Sequence, residues 1–318
     1  VEEGGLSATA DWAKLTLSEQ EYAREARRYR WRRSLRGYAF VVPYFLPWIL
    51  FLAVPAVWSV VLSFHAGGLT DDAKFVGLDN WSRAAGNGEL RKSVVNTFYM
   101  VLIAISIAFV FSILVAMLLN TYRKGSTVFK LAYYFPLLAP PVIAGLIWQY
   151  MVHYDFGVAN LVADQLGADK INFLGNARLA LLTVVAVEVW RGFGFWVLYF
   201  LAGVQGVPGE LLDAARVDGA SGARRFLRVT LPVLRPLLLF AVVIAIIYNF
   251  QIFDSVYSLT DGGPALATST VVWFIYRNLF EFQNTGLAYA TSIGLLCIIL
   301  LLTFLSFRFL GAERRSRA

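Results

Sequence analysis

Glu188 and Arg191 interrupt a long apolar run, Leu179 to Leu201, and stand three residues apart. That spacing puts both on one face of a helix, where they can neutralise each other. Charge inside an apolar segment is costly and marks a functional position by default. The pair is either a structural ion pair or part of a polar cavity wall, with Trp190, Phe195 and Trp196 nearby. The next apolar run ends in Tyr248, Asn249 and Gln251, with Asn249 one helical turn beyond Ala245 and one before Phe253. An aromatic face beside amide hydrogen-bonding groups is the pairing a sugar site generally uses.

Other chemistries lack their residues. No G-x-x-x-x-G-K-[ST] loop exists, and none of the six lysines follows a glycine, so a phosphate-cradling loop of that type is excluded. His65 and His153 are isolated and lack metal-ligand spacing, so interfacial packing is expected for both and no metal site. No nucleophile–base motif occurs. The chain does not read as an enzyme in its own right.

The elements around these residues read as membrane spans. Of 318 residues, 58% are hydrophobic and 15% charged, against about 25% charged in a soluble domain. Six apolar runs are long enough to cross a bilayer, at about Tyr38–Phe64, Val94–Leu119, Phe129–Met151, Leu179–Leu201, Leu234–Phe253 and Ala288–Phe309. Prolines 136, 140 and 141 predict a kink or a late start in the third. The fold class is therefore all-α, with six transmembrane helices. The first run follows a long charged segment and is too long for a signal-peptide core, so it is expected to remain as an anchor. Cys297 lies within the last run and is expected to pack there.

The net charge of +7 comes from basic residues that flank the spans, which is a topology signal and not a nucleic-acid footprint. Twenty Lys and Arg fall on the side holding both termini and seven on the other. Both termini are thus expected in the cytoplasm of a bacterial cell with a multi-pass inner-membrane protein. Residues 1–37 form a basic cytoplasmic segment, 38–310 the transmembrane domain and 311–318 a cytoplasmic tail. Ser18-Glu19-Gln20-Glu21 has capping-box spacing ahead of an Arg-rich stretch. That stretch is either a helix on anionic membrane lipids or a basic flank that only fixes orientation.

The loop from Gly203 to Pro232 is polar, and the charge count makes it cytoplasmic. Glu210–Val217 has good helix formers with acidic residues early, Gly219 offers a sharp turn, and Ser221 can cap a second short helix carrying Arg224, Arg225 and Arg228. Two short helices joined at a glycine make a compact knob. Small residues at Ala214, Ala215 and Ala220 would let a partner approach closely, and Asp213 and Asp218 could pair with its basic groups.

These residues carry a resemblance. The pattern Asp213-Ala-Ala-x-x-Asp218-Gly219-Ala220-x5-Phe226-x4-Leu231-Pro232-x3-Pro236 resembles the "EAA" coupling motif of ABC importer permeases. The branch taking up carbohydrates and glycerol phosphates matches best. Leu201-Ala-Gly203 through Leu211 resembles its lead-in, and Asn249 through Gly262-Gly263-Pro264 resembles its signature after the fifth span. One departure is Asp213, where the family usually has a glutamate. The resemblance implies the type I importer permease fold and a cytoplasmic coupling-helix loop. It also implies a second homologous permease, two ATPase subunits that carry the ATP and Mg, and an external solute-binding protein, with no cofactor on this chain. It implies coupling roles for Asp213, Ala214, Ala215, Asp218, Gly219, Ala220, Phe226, Leu231 and Pro232. It supports Glu188, Arg191, Phe195, Ala245 and Asn249 as solute-path positions, beside Tyr248 and Gln251 read from the span itself. An ion-coupled secondary transporter is the alternative, resting on Glu188 alone and leaving the knob unexplained. A non-transporting scaffold would need neither the intramembrane polar groups nor an ATPase.

Overall fold

The computed structural model describes residues 41–67, 74–121 and 126–311, with Arg27, Trp31 and Tyr38 before them. The Ser18–Glu21 capping spacing, residues 312–318 of the basic tail, and Arg123 and Lys124 lie outside the described residues. The chain forms two compact units, residues up to Ser59 and residues from Val60.

Helix α1 spans Val41–Leu62 and contains a π-turn at Ile49–Ala53. Pro55 has no N–H to give, and the Val54 N–H reaches back five residues to Ile49 instead. Nearly all its side chains up to Ser59 are exposed, as an apolar helix in lipid requires.

The second unit opens with a two-stranded ribbon, β1 His65–Ala66 paired antiparallel with β2 Lys74–Phe75, and helix α2 at Asp79–Gly86. Then follow α3 Gly88–Thr121, α4 Ser126–Tyr134, α5 Pro141–Met151, α6 Val158–Gln165 and α7 Ala177–Gln205. The polar loop holds α8 Gly209–Val217 and α9 Gly222–Val233. Helices α10 Arg235–Asn249, α11 Asp254–Leu259, α12 Val271–Tyr276 and α13 Thr285–Gly311 complete the chain.

Among the described residues four helices are long and apolar enough to cross a membrane, or six spans if each bent pair counts as one. The third and fifth expected spans are the bent ones. Thr127–Leu138 and Pro141–Met151 meet at 99°, because Pro140 and Pro141 donate no hydrogen bond and the residue before a proline is pushed to extended backbone. Gly222–Val233 and Arg235–Asn249 meet at 69° at Leu234, between Pro232 and Pro236. The 15 residues of α10 reach only about 22 Å, short of a bilayer core, so this span needs its bent partner.

Helices α3 and α7 form the spine and run parallel. Met100 and Ala104 pack with Val184 and Val187 at one end, and Ala108, Phe109 and Ala116 pack with Trp196 and Phe200 at the other. Ala104, Ala108, Ser112 and Ala116 repeat every four residues and are all buried. Small residues at that spacing let helices approach where lipid offers no hydrophobic drive. Ser112 donates to the Phe193 carbonyl at 3.3 Å, and Tyr199 donates to the Leu237 carbonyl at 2.8 Å, tying α7 to its neighbours. Cys297 corrects an expectation: its thiol is free and exposed on α13, beside exposed Leu296 and Leu300, because its side of the helix is not packed against the chain.

Gly194 sets the approach of α4 to α7. A Cβ there would overlap the Tyr133 carbonyl, which is backbone and cannot rotate away. Gly194→Val is expected to destabilise the fold by about 1–3 kcal/mol through overpacking. The check is detergent melting of the purified protein, with a value near wild type as the contrary result.

Candidate functional site

A cleft of about 550 Å³ opens between α3, α7, α10 and the start of α11. Glu188, Arg191, Phe195, Tyr248, Asn249 and Gln251 all line it, joined by Trp196, Phe253 and Asp254. A second hollow of about 640 Å³ lies between α3, α4 and α7, and its wall carries no charged residue. The smaller cleft is the chemically equipped one. Trp190 lies on the wall of the apolar hollow, not the cleft, edge-on to Trp148 at 5.5 Å.

Helix α7 brings Glu188 and Arg191 onto one face, as their spacing requires. Arg191 Nη2 donates to Glu188 Oε2 at 2.9 Å, with the side chains 22% and 12% exposed respectively. The other carboxylate oxygen accepts from the Ser255 hydroxyl on α11. Both oxygens of Glu188 are therefore engaged, while Arg191 Nε is buried with no partner. The pair presents little net charge to the cleft.

At the end of α10 the Asn249 amide donates to the Ala245 carbonyl at 2.8 Å, and Gln251, in the turn just beyond, donates to the Ile247 carbonyl at 2.8 Å. These bonds use N–H groups and leave the amide oxygens as acceptors. Tyr248 is 73% exposed and offers its ring. Ala245 corrects an expectation: it is fully buried, packed in the core with Phe109 and Trp196, and only its carbonyl serves the site. Ile244 just before it lines the cleft, while the Ala245 methyl faces the packed side of α10 against α3 and α7.

The knob at the other end of α7 is built as follows. Ala220 N–H donates to Ala215 and Gly219 N–H to Arg216, at 2.9 and 3.0 Å, with Gly219 at φ +72°. This is a Schellman stop, in which the left-handed residue suits glycine. The Ser221 hydroxyl accepts from Arg224 N–H at 3.4 Å and caps α9. Asp213 pairs with Arg216 at 2.7 Å on an exposed surface, a bond worth little in water and easily exchanged for another partner. Ala214, Asp218 and Gly219 are exposed, Ala220, Phe226 and Leu231 half-buried and Pro232 exposed. Ala215 is buried and faces its own chain, so it offers no surface to a partner.

Sequence reasoning missed Ser255 and the clamp on the segment after it. Thr260–Val271 is held to the start of α3. Lys92 donates to Ala265, Asn96 to Leu266 and Ser269, and the Thr97 hydroxyl accepts from Val271 N–H. Asp261, Ala265 and Leu266 all hold positive φ, a conformation that persists only where surrounding contacts impose it. The buried polar spacing Ser93, Asn96, Thr97 was the available signal.

Residues 83–315 match the family described as "Binding-protein-dependent transport system inner membrane component". The chain belongs to that family. It is a permease subunit of an ABC importer, an inner-membrane component, and ATP hydrolysis resides on a separate subunit. The trehalose/maltose transport system permease MalF of Thermococcus litoralis is 30% identical over 86% of this chain and 92% of its own. The arabinooligosaccharide permease AraP of Bacillus subtilis is 30% identical over 86% and 88%. The sn-glycerol-3-phosphate permease UgpA of Agrobacterium fabrum is 29% identical over 85% and 94%. A chain of a bacterial alginate ABC transporter, solved in complex with a periplasmic protein bearing alginate pentasaccharide, superposes with TM-score 0.79. It is 20% identical over 90% of this chain and 97% of its own, and the likeness establishes the type I permease fold.

Proposed function

We propose that this permease passes a neutral sugar, a disaccharide or short oligosaccharide, through the cleft between α7 and α10. The observation that carries the reading is the cleft wall: rings from Phe195, Trp196 and Tyr248 beside the amides of Asn249 and Gln251. Because Glu188 neutralises Arg191, the wall favours a neutral solute over a phosphate. Relatives named for trehalose, maltose and arabinooligosaccharides support this, and the glycerol-phosphate relative supplies the competing solute.

In this reading an external binding protein delivers the solute, a second homologous permease completes the passage, and two ATPase subunits hold ATP and Mg. The loop 203–232 lies in the cytoplasm with both termini, and the domain limits 1–37, 38–310 and 311–318 follow. Helices α8 and α9 seat in the ATPase and move as a rigid lever, since packed helices shift as units. Asp213, Asp218, Gly219 and Phe226 act there, with Leu231 and Pro232 setting the bend into α10.

Uptake by the full complex in proteoliposomes tests the solute. ATP-dependent entry of labelled trehalose or maltose, and not of glycerol 3-phosphate, is expected; the reverse preference contradicts the reading. Asn249→Ala should raise the half-saturating solute concentration about 5- to 30-fold through one lost hydrogen bond, without releasing the ATPase. Unchanged kinetics would remove Asn249 from the site.

A further inference from the structure

A line of aromatic rings leaves the cleft at Phe253 and runs out along α11 and α12. Phe253 lines the cleft, and its ring stacks on Tyr257 at 5.4 Å and lies 4.9 Å from Tyr276. Tyr276 in turn lies 5.1 Å from Phe280. Tyr257 is 43% exposed and Phe280 62%, and neither they nor Tyr276 belong to the packed core clusters.

The rings stand on a rigid frame. Ser255 fixes α11 to Glu188, and Thr270 both caps α12 and donates to Ile252. A π-turn at Arg277–Glu281 carries Phe280. Beside it Arg277 is held by Glu281 at 2.8 Å and Glu89 at 3.8 Å, over the rings of Trp273 and Phe282. The basic charge near the rings is thus neutralised. The line also sits where α3 and α7 begin, the end opposite the loop 203–232, which is the side a delivered solute meets first in the orientation proposed above.

We propose that Phe253, Tyr257, Tyr276 and Phe280 form an outer carbohydrate track, which stacks on the C–H faces of sugar rings and hands the solute into the cleft. A pyranose has an apolar C–H face and a hydroxyl edge, so an amphipathic ring with a polar tip matches it on both counts. The neighbouring Tyr257 phenol holds the Tyr276 phenol above its ordinary range, a sign of how closely the two rings' polar tips meet. Continuity with the cleft through Phe253 distinguishes the line from an aromatic belt facing lipid headgroups.

The proposal rests on the sugar reading, and one experiment separates the two. The full complex is reconstituted over a series of loaded binding-protein concentrations up to saturation, and labelled trehalose, maltose, maltotriose and glycerol 3-phosphate are the probes. The double variant Tyr257→Leu/Phe280→Leu keeps apolar bulk and loses the rings. It should carry the sugar about 10-fold more slowly than wild type, from two lost stacking contacts. Its complex yield and melting temperature should stay near wild type, and Tyr257→Trp/Phe280→Trp should restore transport. A Leu variant that transports normally overturns the track. So does a defect removed by more binding protein, which would make the rings a docking surface, or a loss of melting temperature with transport per folded complex unchanged, which would make them lipid anchors. If wild type carries glycerol 3-phosphate or none of the probes, the sugar reading fails and the track falls with it. If wild type carries a sugar and the variants match it, the track alone fails.

Discussion

Gly219→Ile is expected to cut solute-driven uptake by at least about tenfold while the protein still inserts and assembles. The residue sits at φ +72°, and a Cβ there would meet no atom within 4 Å. Sterics with neighbours are therefore not the issue; the backbone is. A β-branched residue in the left-handed region costs roughly 1–2 kcal/mol, enough to move the turn out of that region and release the bonds from Ala220 to Ala215 and Gly219 to Arg216. Helix α8 would then point elsewhere, and the lever would lose its fixed angle with the spans untouched. Gly219→Asn should retain most transport, since Asn tolerates this conformation. Proteoliposome uptake and solute-stimulated ATP hydrolysis read the effect. Normal stimulated hydrolysis in Gly219→Ile would count against the knob as a lever.

Arg191→Ala should be the most damaging change in the cleft. It leaves Glu188 12% exposed with only the Ser255 hydroxyl as partner. Breaking a fully buried pair from one side costs about 3–5 kcal/mol, and this half-buried pair on the cleft wall should cost less than that. A marked fall in melting temperature and near-complete loss of uptake are expected. The double variant Glu188→Gln/Arg191→Gln removes both charges and should recover most of the stability but not the uptake, because the polar lining of the passage is altered. Recovery of both would make the pair a structural brace and take it out of the solute path. Recovery of neither would mean that Ser255 and its link to α11 need the carboxylate itself.

Much of this was readable before the structure because the decisive patterns are local. Helix spacing alone put Glu188 and Arg191 on one face, and a glycine between two short polar helices announced the turn at Gly219. The bends were only half legible. Prolines mark where hydrogen bonds fail, but the 99° turn between α4 and α5 and the 69° turn at Leu234 depend on what each half packs against. Ala245 stood on the right helix but on its packed face, because spacing from Asn249 along α10 does not say which side Phe109 and Trp196 cover. Ser255 and the clamp from Lys92, Ser93, Asn96 and Thr97 join segments more than sixty residues apart, and periodicity within a segment carries no information about such partners. The repeat of Ala104, Ala108, Ser112 and Ala116 and the polar spacing of Ser93, Asn96 and Thr97 mark faces that must pack, without naming what packs on them.

The measurement that tests the account most directly is a pull-down of the tagged chain from native membranes in mild detergent, with mass spectrometry of what remains bound. A second permease of the same family, an ATP-binding subunit and a solute-binding protein are expected in the eluate, with the ATP-binding subunit depleted when residues 209–220 are replaced by a flexible linker. A chain that emerges alone or as a homo-oligomer, or one that keeps its ATP-binding subunit without that loop, would contradict it.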